Sequence, residues 1–171
     1  MTTPERTEVP LSGDEHHMLA SFLDFQRETL AWKCSELDAG QLRHASVPPS
    51  QLTLLGLVRH LTENERGWFH DVMAGEEAPP LYASDEDPDG EFHPTDTDTW
   101  EDAYAAWQAS ITRSKELMAG RPLDELSVGR DRTSNEPYSL RWIYTHMIEE
   151  YARHNGHADL IREVIDGSTG E

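Results

Sequence analysis

Apolar residues recur at three- and four-residue steps in four stretches of the chain, the spacing of amphipathic helices. Leu19, Phe22, Leu30, Cys34 and Leu37 mark the first stripe, with Gln26 at the same step. Ser12-Gly13-Asp14-Glu15 ahead of it reads as a capping box, in which Ser12 and Glu15 satisfy each other's free amides. Gly40 lies just past the expected end. After Pro48-Pro49-Ser50, a second helix is marked by Leu54, Leu57, Val58, Leu61, Trp68 and Val72, and Gly75 is its expected stop. Trp100, Tyr104, Trp107, Ile111 and Met118 mark a third, from about Asp98-Thr99 to Gly120 and Pro122. Ser139 caps a fourth, which runs to about Asp166 with Gly167 behind it.

The residues between the second and third helices include Pro79-Pro80, Pro88, Asp89-Gly90, Pro94 and many acids. That is loop composition, and a loop of such length in a compact domain is often functional or mobile. A second irregular stretch passes through Gly129 and Pro137. No strand-like alternation competes with the helical patterns. The expected fold is all-α, a four-helix bundle with a long acidic connecting loop. A polar tail at 1–11 and a short tail at 168–171 flank one domain at 12–167, as expected of 171 residues.

Charge narrows the function. A formal net charge of −19 is repelled by phosphate backbones and disfavours nucleic-acid binding. The chain also lacks the Lys/Arg-rich face of surface-bound membrane helices and any run of ~18 apolar residues that would span a bilayer. Met1–Val9 has no apolar run after a basic start, so no signal peptide is read there, and a cytoplasmic protein is expected. Cys34 is the lone cysteine; no internal disulfide is available to it, and its apolar neighbours read as a buried, inert thiol.

The candidate chemistry lies in the last helix. His146, Glu150, His154 and His157 share one stripe, preceded by Ile143 and followed by Ile161 and Val164. A polar patch inside an apolar stripe costs free energy unless it is compensated. A metal ion would do so, and so would a hydrogen-bond network. Glu150 and His154, four apart, can reach one ion together. His60, placed mid-helix between Val58 and Leu61, is the best candidate for a ligand from another helix. Three such ligands leave an open position, as in catalytic sites, and do not select sharply among zinc, nickel, iron and manganese. Asn64, one turn after His60, is a candidate to orient it. Arg59 and Arg153 adjoin the proposed ligands; either can clasp a substrate carboxylate, and both read more simply as outward partners of acids. Glu63 is a candidate base or an exposed helix-face residue. Trp68, Trp100, Trp107 and Trp142 read as core aromatics.

The segments Ser50-Gln51-Leu52-Thr53-Leu54-Leu55-Gly56-Leu57-Val58-Arg59-His60-Leu61 and Glu149-Glu150-Tyr151-Ala152-Arg153-His154-Asn155-Gly156-His157-Ala158-Asp159 resemble the two signature regions of the DinB-like superfamily. The match is to a subgroup of uncharacterised bacterial proteins and, more distantly, to the mycothiol-dependent maleylpyruvate isomerases. The resemblance implies a divalent metal, zinc first among nickel, iron and manganese, on His60, Glu150 and His154. Glu150 stands where many members carry histidine. The resemblance leaves His146, His157, Asn64 and Arg153 as partners of the ligands or as substrate contacts, and a fourth-ligand role for His146 or His157 stays open. It further implies a small-molecule substrate, a low-molecular-weight thiol such as mycothiol as cosubstrate, thiol transfer or thiol-assisted isomerisation, and a homodimer. Two alternatives stand beside it: a metal-stabilised bundle with a stress-related binding role, and a metal-dependent hydrolase.

Overall fold

The computed structural model describes residues 6–170. Residues 1–5 of the expected N-terminal tail and Glu171 of the C-terminal one lie outside them. The protein is mainly helical: α1 (Glu15–Cys34), a short α2 (Ala39–Leu42), α3 (Leu54–Glu65), α4 (Trp100–Met118) and α5 (Leu140–Asp166), with a hairpin of β1 (Leu126–Arg130) and β2 (Pro137–Ser139). α1 packs on α5, α3 on α4, and α3 also on α5. Leu23, Leu30, Leu54, Leu57, Leu61, Phe69, Trp107, Ile143, Met147 and Tyr151 fill the space between them and are almost wholly buried.

Most helix ends obey local chemistry legible in the chain. Thr53, Thr99 and Ser139 cap α3, α4 and α5, each side chain accepting an N–H from the first turn. Gly167 closes α5 in the left-handed conformation at φ 80°, which a residue without Cβ adopts at little cost.

The first helix departs from expectation at both ends. Its cap is Asp14, which accepts the His17 N–H, and Ser12 lies outside the helix. A carboxylate at the cap also meets the positive end of the helix dipole, which a serine hydroxyl does less well. The helix stops at Cys34, and Glu36 takes a left-handed backbone at φ 61°. Gly40, expected beyond the helix, sits inside α2, which Asp38 and Gln41 open with a reciprocal capping box. Nor do residues 6–11 trail free throughout, since the Arg6 guanidinium lies 4.4 Å from the Trp32 ring and Thr7 donates its backbone N–H to Glu28.

The second expected helix changes character at its midpoint. After Glu65 the chain widens into a π-helix over Arg66–Met73, ending with Ala74 N–H donating to the Phe69 carbonyl. The wider turn rotates the face. Phe69, His70 and Met73 point into the core, while Trp68 and Val72, the residues of the expected stripe, are only partly buried.

The hairpin was not expected. β1 and β2 pair antiparallel with an irregular register. In β1 the buried residue is Ser127, while Leu126 and Val128 are exposed; the alternation lasts only three residues before Gly129 and β2 is three residues long, too short a run to read as strands. The tryptophans also divide. Trp107 is fully buried, whereas Trp142 is 44 % exposed and Trp68 and Trp100 lie at the edge of the core.

Candidate metal centre

Two regular helices bring the central groups together. His60 projects from the middle of α3, and Glu150 and His154 lie one turn apart on α5. Glu150 Oε1 stands 2.9 Å from His60 Nε2 and 3.2 Å from His154 Nε2. The two imidazole rings are 4.6 Å apart. One ligand atom from each residue lies within 4.8 Å of the other two.

The electrostatics suit a cation. Burial pushes the Glu150 carboxyl up, but the hydrogen bond from His60 and the neighbouring imidazoles and Arg153 outweigh it and hold the group below the usual range. Burial, reinforced by the charge of His60, pushes His154 down to about 4. At neutral pH His154 is therefore a neutral imidazole, the charge state that binds a metal. Two ligands about 2.0–2.1 Å from a tetrahedral zinc stand roughly 3.4 Å apart. The two contacts to Glu150 match that separation within a small side-chain adjustment, and two imidazoles with one carboxylate are a donor set for zinc and its neighbours. The residues fit a divalent ion.

The surrounding candidates separate. His157 Nδ1 lies 3.3 Å from His154 Nδ1, on the ring edge away from Glu150. Asn64 places its amide nitrogen 3.0 Å from His60 Nε2 and donates to the His60 carbonyl at 3.1 Å. His146 joins an aromatic cluster, stacked on Trp142 at 5.0 Å and edge-on to Trp68 at 4.7 Å. Arg153 is exposed, paired with Glu149 and 3.8 Å from Glu150 Oε2.

Two residues read as outward-facing do other work. Arg59 is buried; it donates to Asp98 at 2.7 Å and to the Gly90 carbonyl at 2.9 Å. Glu63 accepts the N–H groups of Leu81 and Tyr82, both at 2.7 Å. Both hold the connection between Met73 and Trp100 against α3. That connection carries a short 3-10 turn, Gly90–Phe92, which the sequence did not disclose. Its Phe92 ring stacks on His60 at 4.9 Å, and Glu91 Oε1 lies 3.3 Å from His60 Nδ1. No signal in the chain separates Glu91 from the other acids of this stretch.

A cleft of about 530 Å³ opens elsewhere, walled by Cys34, Leu37, Leu42, Trp100 and Tyr104. It includes none of the three ligand candidates. Burial pushes the Cys34 thiol up to about 12, which leaves it protonated and inert.

A family model described as mycothiol-S-transferase (MST) matches residues 18–167. The chain belongs to that family. The family is DinB-like, and the matched span contains both helices that carry His60, Glu150 and His154. No curated protein matches the chain. No described helix is long and apolar enough to cross a membrane.

Proposed function

We propose that residues 12–167 form one metal-binding four-helix-bundle domain of the DinB-like type, in which His60, Glu150 and His154 hold a divalent ion, zinc foremost. Its function in this reading is to join a low-molecular-weight thiol, mycothiol or a relative, to an electrophilic small molecule. The observation that carries the reading is the convergence of three ligand atoms from α3 and α5 within 4.8 Å, in a chain that belongs to the mycothiol-S-transferase family.

A divalent ion supplies the positive charge that holds a thiol as its thiolate at neutral pH. The chain's own groups do the rest. His60 and His154 would hold a dication through neutral imidazoles and Glu150 through one negative charge, so the cluster would offset half of the ion's charge and leave the remainder to favour an anion. In the transfer, the thiol proton leaves to water, a sulfur–carbon bond forms, and the leaving group departs with its electron pair. In an isomerisation the same sulfur is released again. His157 backs His154, and Asn64 crowds the Nε2 edge of His60. His146, one turn before Glu150 on α5, with Trp142 a turn further back and Trp68 from the π-helical segment, forms an aromatic wall for substrate.

The test is metal analysis of the purified protein together with thiol consumption, using mycothiol and simpler thiols against a panel of electrophiles. Bound metal with thiol-dependent product, both lost in His154→Ala, supports the reading. Bound metal whose removal unfolds the protein, with no thiol consumed, replaces it with the metal-stabilised, non-enzymatic bundle. Ester or amide cleavage without thiol replaces it with the hydrolase.

A further inference from the structure

We propose that Glu91 is a positioning residue for the metal ligand His60, and that Arg59 fixes the turn that presents it; the inference rests on the metal-site reading above. His60 has a carboxylate on each side. Its Nε2 faces Glu150 at 2.9 Å and its Nδ1 faces Glu91 at 3.3 Å. When the Nε2 lone pair is given to an ion, the ring proton resides on Nδ1, and Glu91 Oε1 is the acceptor within reach. A carboxylate behind a metal-bound imidazole sets its tautomer, steers its plane and raises its basicity.

The burial of Glu91 argues for such a role. The residue is only 9 % exposed, and its Oε2 is buried without a hydrogen-bond partner among the described residues. A carboxylate placed there for packing alone would be costly. A proton held on His60 Nδ1 by bound metal offsets that cost with a charge-assisted hydrogen bond.

The turn is built to hold this geometry. Phe92 stacks on the His60 ring, with planes 27° apart. Arg59, the residue before His60, clamps the Gly90 carbonyl and Asp98 and lies 4.2 Å from the Tyr82 ring. A Cβ at Gly90 would stand 2.3 Å from the Tyr82 carbonyl oxygen, so the chain approaches this closely only with glycine. Arg59 and His60 thus act on one turn: the first anchors its backbone, and the second receives its carboxylate.

The experiment measures zinc affinity of the full chain by competition with a chromophoric chelator, for wild type, Glu91→Gln and Glu91→Ala. Proton NMR of the zinc-loaded proteins follows the downfield imidazole N–H resonances. Glu91→Ala should weaken zinc about 10–100-fold. Glu91→Gln, which keeps a neutral acceptor, should recover a good part of that loss. The His60 Nδ1–H resonance should move upfield in Glu91→Gln and vanish by exchange in Glu91→Ala. Zinc affinity within twofold of wild type in both variants, with the resonance unmoved, overturns the proposal and leaves the metal site standing. Failure of the wild type to bind zinc overturns both. Should Glu91→Ala not fold, the isosteric Glu91→Gln decides through its resonance.

Discussion

Removing the Glu65 carboxylate should loosen the protein where α3 meets α1 and α5. Glu65 is wholly buried at the end of α3 and takes a two-pronged pair from Arg27, Nε to Oε1 and Nη2 to Oε2, both at 2.8 Å. The Tyr151 hydroxyl donates to Oε1 at 2.9 Å, and Trp107 Nε1 donates to that hydroxyl at 2.8 Å. Breaking a buried pair from one side costs about 3–5 kcal/mol, and the stranded Tyr151 hydroxyl adds roughly 1 kcal/mol. Arg27 keeps Asp24 at 2.9 Å, on the more exposed side, which returns part of the loss. The expected total for Glu65→Ala is about 4 kcal/mol, a large share of the ~5–15 kcal/mol that a domain has. For a chain of this size that is a fall in Tm of roughly 8–16 °C. Urea denaturation followed by circular dichroism measures it. Glu65 lies five residues past His60 and Tyr151 directly follows Glu150, so zinc affinity should fall too. The double variant Arg27→Met with Glu65→Leu should regain most of the stability, because apolar replacements of a buried pair are often neutral or better. A loss below about 1 kcal/mol in Glu65→Ala would refute the reasoning that a desolvated, fully bonded network joins these helices.

His154→Ala should abolish stoichiometric metal while leaving the far-ultraviolet spectrum helical; metal retained at wild-type affinity would remove His154 from the ligand set. Gly90→Ala should displace the turn from His60, given the 2.3 Å approach to Tyr82, and weaken zinc without moving the helix content; an unchanged affinity would show the turn irrelevant to the site. His70 is buried and pushed below its ordinary value, chiefly by burial. Its unfolded form therefore takes up the proton first, so the stability it contributes is complete above about pH 6.5 and declines as pH falls toward its folded value. Urea midpoints from pH 7.5 to 5 should decline more steeply for wild type than for His70→Asn, and parallel curves would contradict this.

The helices were largely legible because their signals are local. Three- and four-residue spacing placed the long helices, and Thr53, Thr99 and Ser139 mark starts that a side-chain oxygen can satisfy within one turn. The same locality made Glu150 and His154 readable as a pair, since residues four apart on α5 share a face whatever surrounds them. His60 was legible as a candidate through its place in an apolar helix and its motif. The expected first helix ran too far because an apolar Leu37 continues the stripe, while the backbone turn at Glu36 leaves no mark in residue type. The hairpin stayed hidden because its strands are too short, three residues of alternation before Gly129 and three residues in β2, to make a pattern.

By itself, the sequence determined the helical periods, the cap and stop of the last helix and the DinB-like family, and it marked three residues for one ion. Only the tertiary structure decided that His60 meets Glu150 across two helices and that Glu91 stands behind His60. It also decided that Arg59 faces inward to anchor that turn, and that Glu65 and Arg27 are buried together. These relations join residues tens of positions apart. Their pairing is set by which faces of α1, α3 and α5 are in contact, and past Glu65 a π-helical segment turns a different face of the continuing chain inward than regular helical spacing would.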